Sequence, residues 1–326
     1  MPSVHPALLG SDFPLPLDAP FSYQNALAVG LSRRRLTALL DAGLLRRPIA
    51  GIYVAAQAPD TQMLRAQVLK LVVPGHYVVT DESAGWLAGA SMILRPGSHR
   101  AVPPITVFGA DGLGRLRNGL ADSGRRTLLP SDVTEIHGIV VTTPLRTALD
   151  LGRLRHRDQA LAGIDQLLRL GAFELDDLLM EVPRFKGFRG VRQLRWLSLL
   201  ADRRSESPGE SALRLRFHLA GLPAPVPQFE IYDDGRFLAR ADLVIEELRF
   251  VAEYDGEEWH GPERQAHDRE RRRSVAEAGW TVRALRKSNV YGRHQDAIAI
   301  LLDGVREARA RLSLPRGGTS APGRRV

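Results

Sequence analysis

The segment Arg240–Gly261, with the sequence RADLVIEELRFVAEYDGEEWHG, constrains the fold more than any other part of the chain. Its residue types, and the polar residues that separate its apolar runs, predict a β-hairpin with strands over 241–245 and 249–255. Glu246 and Glu247 form the predicted turn between them. A hairpin needs further elements to cover its apolar side chains, so we expect this segment to lie at the centre of a larger α/β domain.

Three carboxylates lie on this hairpin, and one imidazole follows it. Successive side chains of a strand point to opposite faces, so Glu253 and Asp255 project together, with Cα atoms about 7 Å apart. Asp242 can join them from the neighbouring strand, and His260 follows a short turn later. Such acids on an apolar hairpin are costly unless a cation neutralises them, and a divalent metal would do so. The alternative is that they are ordinary surface carboxylates.

The order Asp, hairpin turn, Glu-x-Asp-Gly-x-x-x-His resembles the core of the PD-(D/E)XK nuclease superfamily. The closest branch is the Vsr-like group of very-short-patch-repair endonucleases, and the resemblance runs from Glu206 to about Leu312. It implies a metal site for Mg²⁺ or Mn²⁺ formed by Asp242, Glu253 and Asp255, with His260 activating water. One departure matters, because Asp255 stands where the superfamily has a lysine.

Two flanking helices add candidate residues. Glu210 opens the helix before the hairpin and matches an acid that this superfamily directs toward the metal; alternatively, it is an acid favoured by the helix macrodipole. Arg264, Arg271 and Arg272 lie on the predicted helix from Pro262 to Ala278. Their alternatives are contact with DNA phosphates or ion pairs with acids such as Asp268 and Glu270 on a solvated face.

The first 60 residues predict a second kind of site. Ser32 is a good N-cap for a helix that runs to Ala42, and the preceding helix covers 23–28. The helix capped by Ser32 begins with three arginines, and a short basic hairpin follows it. The predicted DNA-contacting residues in this region are Arg33, Arg34, Arg35, Arg46 and Arg47. This arrangement is typical of a winged helix-turn-helix that binds double-stranded DNA, although a helical hairpin with solvated arginines has the same pattern.

A second resemblance supports the DNA-binding interpretation. GLSRRRLTALLDAGLLRRPIAGIYV, within Tyr23–Val54, resembles the N-terminal domain of AbiEi-type antitoxins of type IV toxin–antitoxin systems, which are winged-helix repressors. VVTDESAGWLAGA and TTPLRTALDL resemble the second domain of the same group. The resemblance implies a cognate toxin as a possible protein partner.

These segments predict an α/β multidomain protein. We expect a winged helix-turn-helix domain over 1–60, a middle AbiEi-like α/β domain over 61–202, a restriction-endonuclease-like domain with a mixed sheet over 205–312, and a disordered tail over 313–326. The polar stretch ADRRSESPGE is the predicted linker.

Composition sets outer limits on this organisation. The chain has 326 residues and no cysteine, which excludes disulfides and cysteine-bound zinc and agrees with a reducing cytoplasm. No signal peptide or bilayer-spanning run is expected. The net charge of +8 suits a nucleic-acid partner, but nearly all positive charge is arginine and the region 205–312 is slightly acidic.

Two functions of different classes remain at this point. The first is a metal-dependent DNA endonuclease that the winged helix targets to DNA. The second is a DNA-binding regulator or antitoxin whose nuclease-like domain no longer cuts. The missing lysine favours the regulator, whereas Asp242, Glu253 and His260 favour the endonuclease.

Overall fold

A computed structural model describes residues 8–90, 105–109, 115–119, 121–256, 262–292 and 295–313, with backbone only at 125 and 262–266. The chain divides into two compact units, Met1–Arg203 and Arg204–Val326. Both contain helices and mixed or antiparallel sheets, so the prediction of an α/β multidomain protein is confirmed at that level. The finer domain boundaries stay predictions.

The first unit begins with two short helices and a three-stranded antiparallel sheet of order β1-β3-β2. The elements are β1 (Phe21–Ser22), α1 (Tyr23–Ala28), α2 (Arg33–Asp41), β2 (Leu45–Ile49) and β3 (Ile52–Ala55). Ser32 caps α2 as predicted, because its side chain accepts the N–H of Arg35. Leu36 and Leu39 form the buried stripe of α2 and pack with Tyr53.

The rest of the first unit is a five-stranded sheet of order β6-β5-β4-β8-β7, accompanied by helices. The elements are α3 (Gln62–Lys70), β4 (Tyr77–Val79), α4 (Asp81–Ala88), β5 (Ile105–Gly109), β6 (Ala121–Arg125), β7 (Val133–Ile136), β8 (Ile139–Thr142), α5 (Pro144–Leu154), α6 (Arg157–Arg169), α7 (Leu175–Glu181) and α8 (Val191–Ser198). One hydrophobic cluster joins Ile52 and Val54 of β3 to α3, β4 and β8, so it extends across residue 60.

The second unit is built around a four-stranded mixed sheet of order β12-β11-β10-β9. The elements are α9 (Pro208–Leu219), β9 (Val226–Asp233), β10 (Arg236–Ile245), β11 (Phe250–Asp255), α10 (Pro262–Glu277), β12 (Thr281–Arg286), α11 (Lys287–Val290) and α12 (Ala297–Ser313). β9, β10 and β11 are antiparallel neighbours, and β12 runs parallel to β11.

The predicted hairpin is confirmed, with two differences. β10 begins five residues earlier than the predicted strand, because it also pairs with β9, a strand that the sequence pattern did not predict. The turn is a short 3₁₀ segment, Glu246–Leu248, and Arg249 follows it with a left-handed φ of 49°. Residues on both sides of the sheet are buried, which is why the strand β11 is largely apolar in sequence.

Candidate functional site

Three elements of the second unit bring the predicted acids together. Asp242 lies on β10, while Glu253 and Asp255 lie on the adjacent strand β11. The backbone N–H of Tyr254 donates to Oδ2 of Asp242 across 2.8 Å, which fixes this carboxylate against β11. Glu210, in the first turn of α9, is close enough for its charge to act on Asp242.

Asp242 has the most perturbed acidity of the group. Burial is the main cause that raises the pKa of Asp242 from 3.8 to about 7. The neighbouring charges of Glu210 and Glu253 raise this pKa further, while the N–H of Tyr254 and the charge of Arg271 oppose the rise. A carboxyl group that titrates near neutrality and faces other acids is a typical feature of a functional site.

Glu210 is buried and fastens two neighbouring segments. Its Oε2 accepts the backbone N–H of Glu206 and the amide of Gln228, each at 2.8 Å. Burial, the largest effect, raises the pKa of Glu210 despite these donors. Glu210 lies in the first turn of a helix capped by Ser207 and also near Asp242, so both interpretations of this acid stay predictions.

Gly209 permits the approach of α9 to the sheet. A Cβ atom at this position would lie 2.0 Å from Cε1 of the Tyr254 ring, so any larger residue would displace the ring or the helix. Because Glu210 follows Gly209 directly, this contact also sets the distance between Glu210 and the carboxylate of Asp242. Sequence reasoning missed both Gly209 and Gln228, because neither carries a local signal for a site.

Two arginines of α10 neutralise Glu253. Arg272 Nε lies 2.7 Å from Oε2 of Glu253, and Arg271 Nη1 lies 3.2 Å from Oε1. Arg272 also reaches Asp255 at 3.5 Å, and Arg271 reaches Asp268 at 3.6 Å. The side chain of Glu253 is only 7% exposed, so these guanidinium groups supply its counter-charge. Ion pairing, one of the two alternatives for Arg271 and Arg272, is therefore observed, while phosphate contact by them stays a prediction.

The predicted metal ligands are of a chemically suitable type. Carboxylate oxygens are the ligands that Mg²⁺ prefers, and Asp242, Glu253 and Asp255 supply them. Within the described ranges, however, no group of three or more acidic or histidine side chains is arranged to hold a metal ion. The physical reason is visible at Glu253, whose oxygens face guanidinium groups. Metal binding by these residues stays a prediction.

The side chains of two predicted site residues are not among those that the structure describes. His260 lies outside the described residues, and Arg264 lies on α10 where only the backbone is described. The proposed action of His260 on water and the proposed phosphate contact of Arg264 both stay predictions.

The predicted DNA-contacting arginines of the first unit differ in accessibility. Arg33, Arg34 and Arg35 are exposed in the first turn of α2. Arg47 is exposed on β2, but Arg46 is half-buried and donates through Nη2 to the carbonyl of Ala58. The Arg46 guanidinium is therefore partly engaged within the protein.

A buried network of charges, which sequence reasoning missed, lies in the first unit. Asp150 accepts hydrogen bonds from Arg126, Arg146 and Arg153, at 2.8–2.9 Å, and is fully buried. Burial raises the pKa of Asp150, but these guanidinium groups lower it more, so the net shift is downward. The network continues through further ion pairs of Asp81, Glu82, Asp132, Arg155 and Arg184.

Part of this network has a local sequence signal. Arg146, Asp150 and Arg153 lie at i, i+4 and i+7 of α5, which places them on one helix face. Asp81 and Arg126 come from distant segments, and no spacing could have related them to α5.

Comparison with known proteins places the network inside a recognised domain. Residues 77–200 match the family model described as AbiEi antitoxin C-terminal domain. Both segments that the sequence related to the second domain of AbiEi-type antitoxins, 78–90 and 142–151, lie inside this match, so that part of the prediction is confirmed. The segments 23–54 and 206–312 lie outside it, and their resemblances stay predictions.

Two relatives extend the comparison over nearly the whole chain. Uncharacterized protein MT2308 of Mycobacterium tuberculosis (strain CDC 1551 / Oshkosh) is 30% identical over 284 residues, which is 87% of this chain and 95% of the relative. Uncharacterized protein Rv2248 of Mycobacterium tuberculosis (strain ATCC 25618 / H37Rv) shows the same identity and coverage. The chain belongs to the family of these mycobacterial proteins. Within the described ranges, no helix is long and apolar enough to cross a membrane.

Proposed function

We propose that the protein is a DNA-binding regulator of the AbiEi antitoxin type, with a cognate toxin as its partner and a nuclease-like domain that does not cut DNA. The observation that carries this proposal is the match of residues 77–200 to the AbiEi antitoxin C-terminal domain. Two features of the chain outside that match support it, one in each unit.

The first supporting feature is the arrangement of residues 21–55. Two helices joined by a short turn, followed by a β-hairpin, have the order of a winged helix-turn-helix. The second helix, α2, begins with three exposed arginines, which are suited to phosphates or base edges. Arg47 on β2 supplies a further exposed positive charge at the predicted wing.

The second supporting feature is the charge balance at the acids of the second unit. Asp255 occupies the place of the superfamily lysine, and Arg271 and Arg272 satisfy Glu253. A phosphodiester-cleaving site of this type needs a metal that polarises the phosphate. Guanidinium groups at the same carboxylate compete with such a metal, so the arrangement favours a domain that has lost cleavage.

Duplex binding by the full chain tests the proposal. We expect binding to a labelled DNA duplex at low salt, with an affinity that falls steeply and linearly on a logarithmic scale as salt rises. The same titration in the presence of heparin distinguishes duplex recognition from general polyanion binding. If the chain binds no duplex even at low salt, the proposed regulator function is wrong.

The second candidate function is a metal-dependent DNA endonuclease of the Vsr-like type. Its specific support is that Asp242, Glu253 and Glu210 come together beside a helix–three strands–helix–strand arrangement. In this case Asp242, Glu253 and Asp255 would hold Mg²⁺ or Mn²⁺, which supplies an activated water and a Lewis acid, and His260 would orient the water. Plasmid nicking with and without these metals separates the two candidates.

A further inference from the structure

The first unit contains a small pocket that the functions above do not use as a ligand site, although two of its residues, Arg46 and Arg47, are predicted DNA contacts. It lies between β2, the start of α3 and Trp86 of α4, and its volume is about 230 Å³. Arg46 and Arg47 of β2, together with Asp60, Arg65 and Trp86, form its polar and aromatic lining. This volume is below the ~300–1,000 Å³ of clefts that hold drug-sized ligands, so any occupant is small.

The charge of the lining favours an anion. Three guanidinium groups face one carboxylate, a formal excess of two positive charges. Asp60 is already engaged, because it forms a two-point ion pair with Arg65 through Nε–Oδ1 at 3.0 Å and Nη2–Oδ2 at 2.8 Å. The hydrogen bond from Arg65 is the main cause that lowers the pKa of Asp60, and the charge of Arg46 also contributes to lowering it. No ion pair within 4 Å, however, joins Arg46 or Arg47 to an acid among the described residues.

The donors of Arg46 point to the same conclusion. Its Nη2 donates to the carbonyl of Ala58, which holds the side chain against the pocket wall. Its Nε–H is buried and meets no acceptor within the described part of the chain. A buried guanidinium donor without an acceptor costs free energy, and an anion held beside the guanidinium group would offset part of that cost through its charge.

The opposite wall is rigid and partly aromatic. Arg65 lies with its guanidinium carbon 5.3 Å from the ring centre of Trp86 and donates to the Trp86 carbonyl at 2.6 Å. These contacts keep Arg65 extended along the wall rather than free in solvent. The positive charge of Arg65 is thus fixed in place before a ligand arrives, which reduces the cost of binding.

We infer that this pocket binds the phosphoryl group of a small phosphate ester. A phosphoryl group presents several strong acceptors with about two negative charges, which matches the charge excess and the unused donors. A carboxylate would leave one positive charge unbalanced. The phosphate of a DNA backbone carries the same chemistry, but Arg46 is half-buried in a concave site, whereas a duplex reaches exposed side chains.

Occupation of the pocket would reach the predicted wing. Arg47 is both a pocket residue and one of the proposed DNA-contacting residues, so a ligand that engages Arg47 withdraws it from DNA. The two ligands then weaken each other by the same factor. This coupling rests on the proposed function, whereas phosphate binding by the pocket does not.

Calorimetric titration of the full chain with inorganic phosphate and with phenyl phosphate, without DNA, tests the site. The reference is chloride at equal ionic strength. Arg47→Gln keeps a polar side chain at an exposed position. It should lower the affinity for both ligands about tenfold, as expected when a charge-assisted hydrogen bond is removed. Arg309→Gln, at an exposed arginine of α12 outside the pocket, is the matched control and should change neither affinity.

Asp60→Asn gives an independent result of opposite sign. It removes the competing carboxylate and should tighten phosphate binding about threefold or more. Equal affinities in wild type, Arg47→Gln and Asp60→Asn would overturn the proposal, as would the absence of any heat beyond the chloride reference. If the chain binds neither inorganic phosphate nor phenyl phosphate but needs Arg46 and Arg47 for duplex binding, the pocket is a DNA-backbone contact. That result would also overturn the small-ligand site. Loss of duplex binding with phosphate binding retained would reject only the proposed function.

Discussion

Nε of Arg272 lies 2.7 Å from Oε2 of Glu253, so a helix residue and a strand residue satisfy each other at the centre of the acidic site. Arg271 approaches the other oxygen of the same carboxylate at 3.2 Å. The cost of a buried carboxylate can be met by a metal or by fixed cations, and in this arrangement fixed cations meet it. Any divalent metal would have to displace two guanidinium groups that are covalently part of the protein.

Arg272→Gln should destabilise the second unit by about 1–2 kcal/mol, because it leaves the buried Glu253 with Arg271 alone. Hydrogen exchange of the amides in β10 and β11 measures this effect locally. Arg273→Gln is the matched control, since Arg273 is exposed and pairs only with Glu277 on its own helix among the described residues. Equal protection in the two variants would mean that the pair with Glu253 contributes nothing measurable.

Asp242 should make the second unit less stable as the pH rises. Its folded pKa of about 7 lies above the ordinary value of 3.8, so the folded state holds a proton that the unfolded state has lost. Stability from this group is therefore complete below pH ~4 and lost as the pH rises toward ~7. Asp242→Asn keeps an acceptor for the N–H of Tyr254 and removes the charge. This variant should be more stable than wild type at pH ~8, by on the order of 1–4 kcal/mol.

Urea denaturation of wild type and Asp242→Asn at both ends of this range tests the prediction, because their difference isolates the one group. Asp303→Asn, at an exposed position of α12, provides a control for the loss of one surface carboxylate. A difference between wild type and Asp242→Asn that does not change with pH would show that Asp242 does not titrate in this window.

Asp150→Asn should destabilise the first unit by about 3–5 kcal/mol, because removal of one member of a buried network leaves uncompensated charges. Arg126, Arg146 and Arg153 all donate to this carboxylate. Thermal denaturation followed by circular dichroism measures the loss. Asp176→Asn, on the exposed side of α7, should leave the transition unchanged. A small effect of Asp150→Asn would mean that the arginines find other partners or water.

Replacing Arg33, Arg34 and Arg35 by glutamine in one variant should weaken duplex binding and make it less dependent on salt. The slope of log K against log salt concentration should fall in magnitude by about 0.9 for each phosphate that is no longer neutralised. Glutamine keeps helix propensity, and Ser32 still caps α2, so the fold should persist. Fluorescence anisotropy with a labelled duplex at several salt concentrations gives the slope. Arg309→Gln, at an exposed position of α12, is the control for net charge. An unchanged slope would remove these arginines from the DNA interface.

The elements of the second unit could be predicted because their signals are local. Alternation over Ala241–Asp255, the glycine at 279 and the helical pattern after Pro262 each lie within a few residues. β9 carries Pro227 and follows Pro223 and Pro225, which argue against a strand, yet it pairs along an outer edge of the sheet where proline is tolerated. Pairing with β10 determines that this segment forms a strand, and no short stretch of the sequence indicates that pairing.

The sequence indicated which acids lie on the hairpin but not how their charges are balanced. The pairing of β10 with β11 brings Glu253 near Asp242, and Asp255 lies two residues further along β11. The contacts of Arg271 and Arg272 with Glu253 depend on how α10 packs onto the sheet, and their spacing along the helix suggested partners on the same helix instead. Gln228 holds Glu210 from a strand that the sequence did not reveal.

Mg²⁺ should not raise the melting temperature of the wild-type protein, and plasmid DNA should remain uncut, because guanidinium groups hold Glu253 and an acid stands in place of the lysine. Arg272→Gln frees one side of the carboxylate, so this variant should gain a metal-dependent rise in melting temperature by mass action. Asp242→Asn combined with Arg272→Gln should abolish that rise, since Asp242 supplies a proposed ligand.

Asp255→Lys restores the lysine and removes one partner of Arg272, and it is the variant in which metal-dependent nicking should first appear. Metal-dependent nicking by the wild type that disappears in Asp242→Asn would reverse the assignment, because it would require the metal to displace Arg271 and Arg272 in the native protein and would make the chain an endonuclease.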